Sequence, residues 1–196
     1  MKKPALKFAL ASVLACSLSA CLIPEQFESN VNVSKDGNVS FEYVGTMSNP
    51  LAMAEEQKNG KLSPKSEQFM RDFGNSMKKE TGFRSVDYIG HGKYRVTYQL
   101  AGKLVEGHPF RFTGDIPVLT LARKGNEVTL AGISLSQKDM DELGKMHLQF
   151  DGTINLKTNG TVKTTNASST PTLGFGAYSW HIKSPKDPAP RMVIAI

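Results

Sequence analysis

Apolar and polar residues alternate along much of this chain, and glycine-containing turns repeatedly break the alternation. Val31 and Val33 alternate with polar neighbours, Lys35-Asp36-Gly37-Asn38 supplies an Asp-Gly turn, and Val39, Phe41 and Tyr43 resume the pattern. Period two on both sides of such a turn predicts a β-hairpin. Asn49 as cap, Pro50 at the first position and Gly60 past the end predict a short helix. A second helix is expected from Ser63 to Gly82, with Pro64 at its first position. Its Phe69, Met70, Phe73 and Met77 fall within one stripe, while Lys65, Arg71, Asp72, Lys78 and Lys79 fall on the other side. Gly74 lies inside this helix, where it costs about 1 kcal/mol relative to alanine. Val86 and Tyr88, the turn Gly90-His91-Gly92, and Tyr94, Val96, Tyr98 and Leu100 predict a second hairpin, and Phe110 and Phe112 continue the alternation. Leu119 and Leu121, the turn Lys124-Gly125-Asn126, and Val128 and Leu130 predict a third. Ser136 with Asp139 three residues on opens a short helix carrying Met140 and Leu143 on one face. Leu148, Phe150, Ile154 and Leu156 share one parity with Gly152, which reads as a long strand bent or bulged at the glycine. A turn at Asn159-Gly160, a Ser/Thr/Asn loop over 166–172, a strand with Leu173, Phe175, Trp180 and Ile182, and an apolar strand from Met192 to Ile196 complete the chain. Strands in runs with helices between them predict one α+β domain, a mostly antiparallel sheet of about seven to nine strands with two or three helices packed on one face.

The first residues follow another pattern. Met1-Lys2-Lys3 and Lys7 form a positive segment, Ala5 to Leu18 an apolar one too short to remain as a spanning helix, and Leu18-Ser19-Ala20-Cys21 a small-residue cleavage site ending in cysteine. This resembles the lipobox of bacterial lipoproteins. The resemblance implies cleavage before Cys21, a diacylglycerol on its thiol and acylation of the freed amine. Val13-Leu14-Ala15-Cys16 is also lipobox-like, but cutting there leaves a shorter apolar segment and an apolar stub. The domains expected are a lipoprotein signal peptide over 1–20, an acylated cysteine and short tether over 21–26, and a single α+β envelope domain over 27–196. Removal of 1–20 leaves 176 residues, enough for one core. Cys16 departs with the signal and Cys21 is blocked, so the remaining domain has neither free thiol nor disulfide.

The lipobox, the Val-x-Val-x-x-Asp-Gly-x-Val stretch from Val31 to Val39, the helices that follow and a Gly-Thr-Ile to Trp C-terminal half together resemble the LppM-like bacterial lipoprotein domain. That resemblance implies an envelope-anchored α+β domain without a recognised active site, for which lipid or glycolipid binding is the family-level function. It carries no functional residue over position by position. In Gram-negative lipoproteins, Asp after the acylated cysteine retains the protein at the inner membrane. Leu22 and Ile23 here imply delivery to the periplasmic face of the outer membrane.

Chemistry is sparse along the chain. His91, His108, His147 and His181 have no histidine at i+4 and no Cys/His spacing, so no metal site and no cofactor are expected. There is no Gly-x-Ser-x-Gly, and Asp139, Asp141 and Glu142 suit the positive end of a helix dipole. An enzyme is not expected. The formal charge of +6 loses Lys2, Lys3 and Lys7 with the signal. What remains is uneven: six acids and one base over 21–57, then ten bases and four acids over 58–103. The basic stretch suits anionic headgroups or an acidic partner, and nucleic acid is excluded for an exported, lipid-anchored chain. The function expected is a non-catalytic lipid or glycolipid binding module, with Phe69, Met70, Phe73 and Met77 as its apolar ligand face. The alternative is a structural lipoprotein presenting a surface to an envelope protein partner. In either case the partner at the N-terminus is the membrane, through the lipid anchor.

Overall fold

The computed structural model describes residues 22–111, 118–146, 148–172 and 175–196. In chain order the elements are β1 (Ile23–Val33), β2 (Asn38–Ser48), α1 (Pro50–Asn59), α2 (Pro64–Met77), β3 (Phe83–Gly90), β4 (Lys93–Lys103), β5 (Phe110–Arg111), β6 (Leu119–Lys124), β7 (Glu127–Gly132), α3 (Gln137–Lys145), β8 (Asp151–Thr158), β9 (Thr161–Thr165), β10 (Tyr178–Ile182) and β11 (Arg191–Ala195). The class is α+β, and the strands divide into two sheets. One has the order β10-β8-β1-β2-β4-β3 and the other β5-β6-β7-β11-β9. All described pairs are antiparallel except β1 with β8.

The three glycine turns close the expected hairpins. Gly37, Gly90, Gly92 and Gly125 all take positive φ there, and His91 joins them at φ 56°. Asn159-Gly160 behaves differently: it carries the chain out of β8 in the first sheet and into β9 in the second. Asn159 Oδ1 accepts from Lys35 N at 2.7 Å, which ties this crossing to the β1–β2 turn. The inner faces of both sheets join in one hydrophobic cluster that includes Val31, Phe41, Tyr43, Val96, Leu121, Leu130, Ile154, Leu156 and Ile194. β11, apolar at Met192 and Ile194, lies between β7 and the edge strand β9 in the second sheet.

Each helix starts where its capping residues place it. Asn49 Oδ1 accepts from Leu51 N and Ala52 N, Ser63 caps α2 through Ser66 N, and Ser136 with Asp139 forms a reciprocal capping box. α2 stops at Met77, before Gly82. It packs on β3 and β4 through Met70, Gly74 and Met77, with Phe73 half-buried. α3 buries no residue.

Two local expectations change. The tether expected up to residue 26 is strand from Ile23 onward, and Leu22 is 2% exposed. Pro24 and a register slip between Pro24 and Phe27 break the alternation there, and Glu25 is buried against Lys93, whose Nζ donates to both its carboxylate oxygens at 3.0 and 3.1 Å. Gly152 makes no bulge: it pairs in register with Phe27, whose ring lies over it, and β8 begins at Asp151, so Leu148 and Phe150 precede the strand.

Candidate functional site

Leu18, Ser19, Ala20 and Cys21 lie outside the described residues, as do Cys16, Phe112, His147 and Leu173. The helical stripe proposed as an apolar ligand face is described, and it is divided. Phe69 is 61% exposed, whereas Met70 and Met77 are buried against the domain's own sheet. At 100° per residue the buried arc centres near Met70, and Phe69, about 100° away, falls outside it. The Tyr94 hydroxyl donates to Met70 O at 2.8 Å and reaches Met70 Sδ at 3.3 Å, and the Phe73 ring meets Tyr94 edge-on at 6.0 Å. A Cβ at Gly74 would lie 3.0 Å from Tyr94 Cε1. The interface is close-packed, so Met70, Phe73 and Met77 belong to the core, Phe69 does not, and Gly74 is the point of closest approach.

The described histidines are held in loops or on the surface. His91 Nδ1 pairs with Glu56, His108 Nδ1 lies 3.3 Å from Glu106 O, and His181 Nδ1 lies 3.2 Å from Thr153 Oγ1. Among the described residues no three His, Cys, Asp or Glu side chains converge to hold a metal. Burial, then a hydrogen bond to Glu67, pushes Tyr88 up to about 12. That tyrosine lies beside α2, where the Arg71 guanidinium sits 5.2 Å from its ring centre. Glu55 is held below the usual carboxylate range by hydrogen bonds from Ser66 and from Ser63 N, and Asp139 likewise by Ser136. All three arrangements belong to helix packing or capping.

Polar groups converge on the outer face of the six-stranded sheet. Strand alternation turns Val31, Val33, Phe41 and Tyr43 inward and leaves Glu28, Asn30, Asn32, Ser40 and Glu42 outward. Register then aligns side chains from distant parts of the chain. One row runs Ser179, Asn155, Asn30, Glu42, Gln99 across β10, β8, β1, β2 and β4. Ser179 Oγ donates to Asn155 Oδ1 at 2.7 Å, Asn155 Nδ2 donates to Asn30 Oδ1 at 3.3 Å, and Gln99 Nε2 donates to Glu42 Oε1 at 2.8 Å. The row on one side reads His181, Thr153, Glu28, Val44, Thr97, and that on the other Lys157, Asn32, Ser40, Ala101. Asn32 Nδ2 donates to Ser40 Oγ at 3.1 Å.

Two adjoining depressions of about 550 Å³ and about 310 Å³ open on this face and share Asn32, Ser40 and Ala101. Lys157 lines the first, Arg84 and Glu42 the second. Neither Lys157 nor Arg84 makes an ion pair among the described residues. The groove therefore offers amide, hydroxyl, carboxylate and cationic groups side by side. A polyhydroxylated ligand can exchange its hydroxyls into such a network, because amides and hydroxyls both donate to and accept from neutral oxygen, carboxylates accept from it, and lysine and arginine donate to it. The sequence contained a signal for this face, since Asn30, Asn32 and Asn155 share the outward parity of their strands, but it did not show that β1 and β8 are neighbours.

No protein-family model matches the chain, and no curated protein matches it. Among solved structures it is similar to the folded domain of the Mycobacterium tuberculosis LppM protein, at 16% identity and a TM-score of 0.44, over 89% of this chain and 91% of that one. A likeness this distant transfers neither residue role nor activity.

Proposed function

We propose that the protein is a non-catalytic envelope lipoprotein, held to a bacterial membrane through acylated Cys21, that binds a sugar-rich ligand on the outer face of its six-stranded sheet. The ligand is a glycan or the sugar headgroup of a glycolipid. The observation carrying this reading is the polar row from Ser179 to Gln99, which crosses five strands beside an open groove. The packed contact between α2 and Tyr94 favours a headgroup ligand over an acyl chain held beneath that helix. The lipobox supports the anchor, and Leu22 and Ile23 after the cysteine support the periplasmic face of the outer membrane in a Gram-negative cell.

The test is an NMR titration of the protein with envelope glycan fragments and short-chain glycolipids, repeated with Asn30→Ala and Asn155→Ala. Binding should perturb the side-chain amides of Asn30, Asn155 and Gln99, and either substitution should weaken it. Each hydrogen bond lost to a neutral sugar hydroxyl is worth about 0.5 to 1.5 kcal/mol, roughly a two- to tenfold rise in Kd. Perturbation confined to α2 and the core, with none on β1, β2 and β8, would reject this face as the site. Intact mass of the protein extracted from membranes tests the anchor separately.

A further inference from the structure

The end of the domain at which the chain enters has no slack. Ile23, Ser48, Lys93 and Gly90 form the closing row of the six-stranded sheet, and Leu22 just before it is buried. Cys21 directly precedes Leu22 in the sequence. Taking Cys21 as acylated, which rests on the proposed function above, the lipid leaves the domain at this end.

α1 lies across the same end. Asn49 N donates to Gly92 O at 2.8 Å, a Cβ at Gly92 would collide with Ala52 Cβ, and Glu56 pairs with His91. Ala52 and Glu56 are one turn apart and face the β3–β4 turn, so helical spacing turns Leu51, Ala54 and Lys58 the other way. Leu51 is 50% exposed, and Ala54 and Lys58 are exposed with it. Ile89, next to that turn, is 42% exposed. Of the acids here, Glu25 and Glu56 are paired with Lys93 and His91, and Glu55 is turned toward Ser63 and Ser66 at the start of α2. Lys58 and Lys61 make no ion pair among the described residues. The outward surface thus combines two apolar side chains with lysines that make no ion pair, while the Glu55 and Glu56 carboxylates are held by hydrogen-bond partners within the domain.

We propose that this end, formed by α1 and the β3–β4 turn, rests directly on the bilayer, with Leu51 and Ile89 entering the headgroup layer and Lys58 and Lys61 among the lipid phosphates. Apolar side chains beside lysines are the composition that binds an anionic interface. The β-strands then rise away from the membrane. Asn32 lies nine residues along β1 from Ile23, so the sugar-binding groove stands about 30 Å from the lipid.

The full chain, purified from bacterial membranes and reconstituted into vesicles of phosphatidylethanolamine and phosphatidylglycerol, is irradiated with a phospholipid carrying a photoactivatable group near its headgroup. Peptide mass mapping should find lipid adducts on 49–60 and 88–93, with none on the Lys124-Gly125-Asn126 turn or on 28–32. The Leu51→Asp/Ile89→Asp pair should lose those adducts while keeping the wild-type circular dichroism spectrum. Lys58→Glu, at an exposed position, should reduce them if the pair fails to fold. Adducts spread evenly over the surface, concentrated elsewhere, or absent would overturn the placement. Intact mass distinguishes the two readings: adducts at 49–60 without an acyl mass refute lipidation and keep the placement, whereas an acyl mass with adducts elsewhere does the reverse.

Discussion

Gly152 offers the sharpest test of how the six-stranded sheet is packed. A Cβ there would fall inside van der Waals contact with Phe27 Cε1 and Cζ and only 2.9 Å from Cδ1. The ring has no inward escape. It stacks on Tyr43 with centroids 5.4 Å apart and planes 20° from parallel, and Tyr43 is fully buried with its hydroxyl donating to Thr46 O at 2.9 Å. On the far side Phe27 faces Gly45, where a Cβ would meet the Phe27 backbone and Cβ. Gly152→Ala must therefore push the ring outward, losing the stack, worth about 0.5 to 1.5 kcal/mol, and part of its burial. Together these give a loss of about 2 to 3 kcal/mol, within the range for overpacked cores. Urea denaturation should show the midpoint falling with the slope unchanged. In a Phe27→Ala background the clash disappears, so the double variant should lie within about 0.5 kcal/mol of Phe27→Ala alone. Costs that simply add in the double variant, or a wild-type midpoint for Gly152→Ala, would refute the contact.

Three further outcomes follow from the same packing. Gly74→Ala should destabilise by about 1 kcal/mol despite the better helix propensity, because Tyr94 is held at its hydroxyl and between two rings; a stabilised variant in thermal melts would show that the ring yields. Ser29 Oγ is buried without a hydrogen-bond partner among the described residues, so Ser29→Ala should raise stability by about 1 kcal/mol in chemical denaturation, and a loss would reveal a bonded partner such as internal water. Burial raises Tyr88 from 10.0 to about 12 and raises Tyr43 and Tyr94 as well. The unfolded chain then loses these protons first, so their contribution is complete below pH 10 and falls as pH rises toward 12. Phenolate absorbance should appear together with unfolding, and free titration of these tyrosines in a folded protein would contradict their burial.

Local chemistry was legible in the chain. Asp36-Gly37, Gly90-His91-Gly92 and Gly125 announce their turns because a backbone at positive φ selects glycine, and Asn49, Ser63 and Ser136 announce helix starts because a free N–H needs an acceptor. Contacts between distant segments were not legible. Gly74 and Gly152 read as a weak helix and a bent strand, since the rings that need their missing side chains, Tyr94 and Phe27, are brought there only by the tertiary fold. Ile23 to Gln26 read as a tether because a proline, a bulge and a buried, lysine-paired glutamate erase the alternation. The candidate site had the same difficulty: outward parity could be read for each strand, but the polar row exists only through the β1–β8 pairing. Division into two sheets was hidden at Asn159-Gly160, a turn signal that marks a change of sheet.

The strand order also dictates when the molecule can become compact. Residues 23–103 contain a four-stranded antiparallel unit of two hairpins, β1-β2-β4-β3, whose β1 edge stays open until β8 arrives, with Gln26 waiting for Asp151. The second sheet waits longer still, because β7 and β9 are joined only through β11, the last strand, which pairs with both. Closing such distant pairs carries a loop entropy that shorter segments cannot recover, so folding is slow and arrives late. A product cut short before Arg191 would leave two bare strand edges, open to pairing with any other exposed strand.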